Sequence, residues 1–351
     1  VSAATGLRRP AVRLSRPPVS AVVRPRVLLT CLGLAVAVFA VCCAGLSIGD
    51  YPVPLADVVP ALWGAGDGGS VFIVQELRLP RVLVGLLVGA AFGVSGAIFQ
   101  AMTRNPLASP DMIGISAGAD TAVVAGIVLG VGAGLGAPAL GLLGALASAA
   151  LIYVLAWRRG TTGYRIVLVG IGISWMCVSA TEWLLTKARL HQAQQALGWL
   201  VGNLNARGWE HVRPLALALA VLLPAALLMT HRLRALQFGD EVAAGLGVPV
   251  QRARLVLVLV GVGLIAFGTA AAGPIAFVAL VAPQVALRLA GTAGPPLLTS
   301  ALTGALIVSA SDLFAQRFFD SDLPVGVVTG VLGAPFLLWL LARTNRSGSG
   351  G

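Results

Sequence analysis

Charge is what this sequence has least of. Acidic and basic side chains together make up 11 % of its 351 residues, against roughly 25 % in an ordinary soluble domain. Apolar residues make up 58 % and the mean hydropathy is +0.92. So few charges cannot coat a water-soluble surface of this size, which excludes a soluble globular protein and indicates a polytopic membrane protein. Lysine is all but missing. Lys187 stands alone in Leu-Thr-Lys-Ala, so the chain lacks the Gly-Lys-Ser/Thr of a P-loop and cannot cradle ATP phosphates in that way. His191, His211 and His231 are scattered without metal-ligand spacing, so no metal site is readable. Cys31, Cys42, Cys43 and Cys177 lie inside apolar stretches and read as small apolar residues, not as a disulfide framework. No Ser/His/Asp arrangement suggests hydrolysis, and an enzyme is not indicated.

What remains is long, apolar and basic. A helix needs about 20 apolar residues to cross the hydrocarbon, and candidate spans lie near 27–47, 81–102, 112–131, 135–157, 165–187, 213–231, 252–272, 275–290, 296–315 and 324–343. The fold class is therefore an all-α membrane bundle of about ten helices, with both termini on one side. The transmembrane domain covers 27–345 and the tail 346–351 is flexible. Residues 1–26, with Arg8, Arg9, Arg13, Arg16, Arg24 and Arg26, read as a basic, disordered arm. A cleaved signal peptide is the rival for the first 47 residues, but its apolar core would be shorter than this run. The net charge of +11 would suggest nucleic acid in a soluble protein. Here it follows from arginine retained in inner loops: the arm, Arg104, Arg158, Arg159, Arg165, Arg232, Arg234, Arg252, Arg254, Arg288, Arg343 and Arg346 share one side if both termini are cytoplasmic. Gly85, Gly89 and Gly93, and Gly326 with Gly330, place small residues on helix faces where backbones can approach closely.

Three polar stretches interrupt the apolar runs. In Arg78-Leu79-Pro80-Arg81 the two arginines share a helical face; they either grip carboxylates of a partner or anchor the helix by snorkelling. In Gln100–Ala119, Pro106 and Pro110 prevent a continuous helix, and irregular backbone at a membrane face needs hydrogen bonds that Asn105 could supply. An ordinary turn is the alternative. In the third, Leu236 to Pro249, Asp240 is expected to cap a short helix, Glu241 to suit its positive end, and Gly247 and Pro249 to stop it. Val242 and Leu246 then form an exposed apolar edge suited to another protein's groove. The eighth span starts at Gly273-Pro274 and contains Pro283, the pattern of a broken helix lining a path. Asp120, Glu182 and Asp312, within or near spans, fit either structural pairing or an ion-coupled secondary transporter.

These residues resemble the FecCD/BtuC-type permeases, the membrane subunits of ABC importers for ferric siderophores, haem and cobalamin. The similarity runs from about residue 30 to 345. It is carried by Arg78 to Ala119, by Gly239-Asp240-Glu241 through Leu246-Gly247, by Ala272-Gly273-Pro274-Ile275-Ala276-Phe277-Val278 with Pro283, and by Leu323 to Phe336. Ser109-Pro110-Asp111, Gly170 to Ile173, Trp183 to Ala188, Ala279 to Pro283 and Gly291 to Ala293 are most similar to ferric-enterobactin permease subunits.

The resemblance implies a BtuC-like bundle in a bacterial inner membrane that translocates without catalysis. It implies two ATPase subunits that hold ATP and Mg, a second permease (a distinct homologue before an identical copy), and an extracytoplasmic binding protein. Iron would enter only as a siderophore complex, catecholate by preference; no cofactor and no nucleic acid is expected on this chain. Arg78 and Arg81 match docking arginines for the binding protein. Asn105 and Leu107, with Gly163 and Tyr164, match cytoplasmic constrictions. The segment of about 236–250, with Gly239, Asp240, Glu241, Ala243, Leu246 and Gly247, matches the ATPase-coupling helices. The chain departs from the pattern at Gln284, where histidine is common, at Asp322, where glutamate is common, and at Arg317, displaced by one residue.

Overall fold

The computed structural model describes residues 11–14, 19–22, 24–49, 51–132, 134–157, 163–292, 294–317 and 323–348. Among these, a single short ladder departs from the all-α architecture: β1 (Ala11–Leu14) pairs antiparallel with β2 (Val19–Val22), Ala11 opposite Val22. The arm is thus partly ordered, contrary to the expectation of disorder; Val12, Val19 and Val22 favour extended backbone.

The helical chain begins with α1 (Pro25–Ser47) and a short α2 (Leu55–Leu62). Next, α3 (Gly68–Phe72) passes through a π-helical turn (Ile73–Arg78) into α4 (Leu79–Thr103). A 3-10 turn at Pro110–Ile113 leads to α5 (Ile115–Leu129), α6 (Gly136–Ala156), α7 (Gly163–Lys187) and α8 (Leu190–Leu200). Then come α9 (Trp209–Leu228), α10 (Thr230–Gln237), α11 (Asp240–Gly245) and α12 (Val250–Ala272). The chain closes with α13 (Val278–Ala290), α14 (Leu297–Arg317) and α15 (Val325–Gly348).

Among the described residues, seven helical stretches are long and apolar enough to cross a membrane: Pro25–Ser47, Gly68–Thr103, Gly136–Ala156, Tyr164–Lys187, Trp209–Leu228, Val250–Ala272 and Leu297–Arg317. Ile115–Leu129, Val278–Ala290 and Val325–Leu340 are shorter apolar helices. Every expected span is a helix. The second begins well before residue 81, because Gln75, Glu76 and Arg78 dilute hydropathy without breaking the backbone. Helices α2 and α8 were not expected; the latter carries His191, Gln192, Gln194 and Gln195, which hide its apolar side.

The middle of the bundle is α4 and α12, whose apolar windows are 72 % and 78 % buried, whereas that of α1 is 11 % buried and faces outward. Glycine sets the spacing around α4. A Cβ on Gly89 would overlap the Gly304 carbonyl of α14, one on Gly93 the Ser300 carbonyl, and one on Gly96 the Ala279 carbonyl of α13. Gly85 faces Leu204 and Ser309 more loosely. The expected small-residue face is therefore a backbone-to-backbone seam. At the start of α15 the expectation divides: Gly326 lies directly against the Val201 carbonyl, while Gly330 has open space beside it. Apolar side chains fill what remains, with Phe92, Phe99, Leu257 and Leu264 fully buried.

Candidate functional site

Two ends of the bundle carry the polar residues. At one end, α10 and α11 project between α9 and α12. The expected Asp240 cap is corrected here: Gly239, at φ 103°, is the cap residue of α11, and Asp240 occupies its first turn. The Asp240 carboxylate instead accepts a hydrogen bond from Arg254 Nη2 at 2.7 Å. Arg254 is only 3 % exposed, near the start of α12, so this ion pair fastens the short helix to a buried cation. The stop occurs as expected: Gly247 (φ 79°) donates to the Ala244 carbonyl at 2.9 Å and Val248 to the Ala243 carbonyl at 3.0 Å, a Schellman motif. Ala243 is buried, whereas Glu241 is exposed. Phe238, Val242 and Leu246 are 71 %, 50 % and 66 % exposed. The apolar edge is real and continues through Phe238.

The same end holds the break after α4. Arg104 closes that helix in the left-handed conformation (φ 55°), and its guanidinium lies beside Gly239. Asn105 Oδ1 accepts from the Leu107 amide at 2.9 Å, so Asn105 does supply a backbone partner in the Pro-interrupted loop. Ser109 and Ser116 hydroxyls donate to Asp111 at 3.1 and 3.2 Å. Gly114 to Gly118 has the Gly-x-Ser-x-Gly spacing, but Ser116 opens a helix and is spent on Asp111, with no strand before it to make a nucleophile elbow.

A crevice of about 440 Å³ joins the two features; Gln100, Arg104, Asn105, Gln237, Phe238 and Gln284 are among its lining residues. The structure therefore brings Asn105 and the 236–250 segment together. Leu107 is half-buried outside that crevice, and Gly163 and Tyr164 open α7, with Tyr164 exposed.

At the opposite end, Arg78 and Arg81 are both engaged within the chain. Arg78 Nη1 donates to the Leu46 and Ser47 carbonyls at 2.8 and 3.1 Å, and Nη2 to the Tyr51 carbonyl, satisfying the last carbonyls of α1. Arg81 forms a two-pronged pair with Asp312 of α14 at 3.0 and 2.8 Å, and Gln316 donates to the same carboxylate at 2.8 Å. Asp312 thus has a structural partner. Glu182 and Arg317 are exposed, and Asp120 lies half-buried in α5. Asp322, Arg8, Arg9, Arg16, Arg158 and Arg159 lie outside the described residues. Among the described residues the four cysteines are free, and no group of His, Cys, Asp and Glu could hold a metal ion.

Sequence reasoning missed Arg254, Gln100 and Phe238. An arginine followed directly by the apolar run 255–260 was the available signal for the first, since a buried cation needs a carboxylate nearby.

Comparison with known proteins gives a consistent result. The FecCD transport family matches residues 36–343. The ferric enterobactin transport system permease protein FepG of Escherichia coli (strain K12) is 45 % identical over 92 % of this chain and 98 % of its own length. The achromobactin transport system permease protein CbrC of Dickeya dadantii (strain 3937) is 40 % identical over 88 % of this chain and 90 % of its own. Among solved structures, a protein described as a metal-chelate type ABC transporter in an inward-facing conformation superposes with a TM-score of 0.78 at 25 % identity, over 89 % of this chain and 98 % of that one.

Proposed function

Since the chain belongs to the FecCD transport family, we propose that it is the membrane-embedded permease of an ABC importer that carries a ferric siderophore, with a catecholate of the enterobactin kind favoured. Its relatives are permeases of iron-chelate transport systems, and a separate ATPase subunit supplies the energy. The observation that carries the coupling assignment is the projecting α11, with Val242, Leu246 and Phe238 exposed while Asp240 is fastened to Arg254. An apolar stripe held rigidly at the end of a bundle fits a groove in a partner, and carboxylate Glu241 beside it disfavours an anionic lipid surface. The ATPase is that partner, and ATP and Mg bind there.

The preference for a catecholate rests on the 45 % identity with FepG; other ferric siderophores follow, then haem and cobalamin. A distinct, homologous second permease is favoured over an identical copy. Asn105 and Leu107, with Gly163 and Tyr164, form the cytoplasmic constrictions in this reading, and both termini lie in the bacterial cytoplasm. Arg78 and Arg81 shape the outer mouth where the binding protein docks. Their engagement with α1 and Asp312 supports a positioning role, with docking carboxylates sharing those guanidinium groups. Asp312, held by Arg81, is not available as an ion-coupling carboxylate, which removes one support from the secondary-transporter alternative.

The test is capture of the ATPase by the purified permease. Val242→Asp with Leu246→Asp places charge on the apolar stripe without touching Asp240. The variant is expected to insert and purify normally but to lose ATPase binding by at least about 100-fold, since burying two carboxylates opposes the contact. Unchanged capture contradicts the assignment.

A further inference from the structure

One edge of α4 carries Gly96 and Gln100, four residues apart, and Arg104 caps the helix one turn further on. Gly96 lies directly against the Ala279 carbonyl of α13. That carbonyl sits four residues before Pro283, which has no N–H to donate to it. One turn on, Gln100 Nε2 donates to the Leu280 carbonyl at 3.0 Å, and Gln284 Nε2 donates to Gln100 Oε1 at 2.8 Å. Both glutamines are 7 % exposed. Beyond the end of α4, the guanidinium of the capping Arg104 comes near Gly239, the cap residue between α10 and α11. The crevice of about 440 Å³ lies alongside, with Phe238 among its lining residues, so there is room for the segment to shift.

We propose that the Gln100–Gln284 pair is the joint through which displacement of the 239–247 segment reaches α13, the helix that carries Pro283 in its interior. The inference rests on the reading of that segment as the ATPase contact. A packed core transmits displacement instead of absorbing it; Gly96 and Gln100 lie on α4, and Arg104 is the residue that caps it. Motion of Gly239 is felt at Arg104 and carried along α4. At Gln100 it arrives on two hydrogen bonds that end on α13, beside the turn that Pro283 has already weakened. These glutamines are positioning residues: they act through their hydrogen bonds to each other and to the Leu280 carbonyl.

The experiment uses the whole importer, with ATPase and second permease, in proteoliposomes that hold Mg-ATP inside, with binding protein and ferric enterobactin outside. Gln100→Leu, Gln284→Leu and the double variant are compared for ATP hydrolysed, cargo imported and thermal midpoint. Each single variant is expected to bind ATPase and hydrolyse ATP while importing about tenfold less cargo per ATP. The double variant, with no amide left unpaired, is expected to regain the thermal midpoint but not the import ratio. An unchanged ratio in the single variants overturns the proposal, and so does a double variant that regains both stability and coupling, because the pair then serves packing alone. If Val242→Asp with Leu246→Asp still captures ATPase and imports normally, the coupling reading itself fails and this inference falls with it.

Discussion

At the scale of single residues, position in the fold decides what a charge does. Arg81 and Asp312 would be costly to bury separately, and together they tie α4 to α14 with side-chain exposures of 19 % and 9 %. Removing one member leaves the other uncompensated, a loss of about 3–5 kcal/mol. Arg81→Ala is therefore expected to lower the thermal midpoint in detergent sharply, and Arg81→Met with Asp312→Leu to recover most of the loss. A single variant as stable as the parent contradicts the pairing. The sequence made the residue types at these positions legible but not their partners. Arg78 and Arg81 read as two free cations because the carbonyls of Leu46 and Ser47 and the carboxylate of Asp312 are remote along the chain. Asp240 read as a helix cap for the same reason: its true partner, Arg254, belongs to the next helix.

At the scale of elements, hydropathy and turn chemistry carried most of the information. The Gly247–Pro249 stop and the Val242/Leu246 edge are local properties, so they were readable and the structure contains them. Helix α8 was not readable, because glutamine and histidine occupy its exposed positions and its single apolar side is too short to stand out. Gln100 and Gln284 meet across 184 residues, and no local pattern announces such a pair. The α4–α14 seam was half legible. Gly85, Gly89 and Gly93 marked a close-packing face, but Gly304 and Ser300, on which it closes, come from a distant helix. Backbone contact leaves no space for a side chain, so Gly89→Leu is expected to destabilise the bundle by at least about 1–3 kcal/mol through overpacking, read as a lower midpoint and reduced membrane yield. The same change at Gly330, with open space beside it, is expected to be tolerated. Equal loss at both sites contradicts the seam.

At the scale of the whole molecule, scarcity of charge determines the architecture. With no water in the hydrocarbon to satisfy backbone groups, helices are the structure open to such long apolar segments, and the polar clusters around Arg81 and Asn105 lie towards the two ends of α4. One end holds the exposed Phe238/Val242/Leu246 stripe, the Asn105 loop and the crevice between them; the other holds the Arg81–Asp312 clamp. An apolar bundle with its working parts at opposite faces is suited to being moved by partners, not to performing chemistry itself.

Dependence on an external source of energy separates an ABC permease from a secondary transporter, and import against a gradient distinguishes the two. Proteoliposomes containing the permease pair, with binding protein and ferric enterobactin outside, are assayed with and without ATPase and internal Mg-ATP. Concentrative uptake is expected only when ATPase and Mg-ATP are both present, and it should survive collapse of the proton gradient. Uphill uptake without the ATPase, or uptake that vanishes with the proton gradient while ATP is plentiful, would contradict the account.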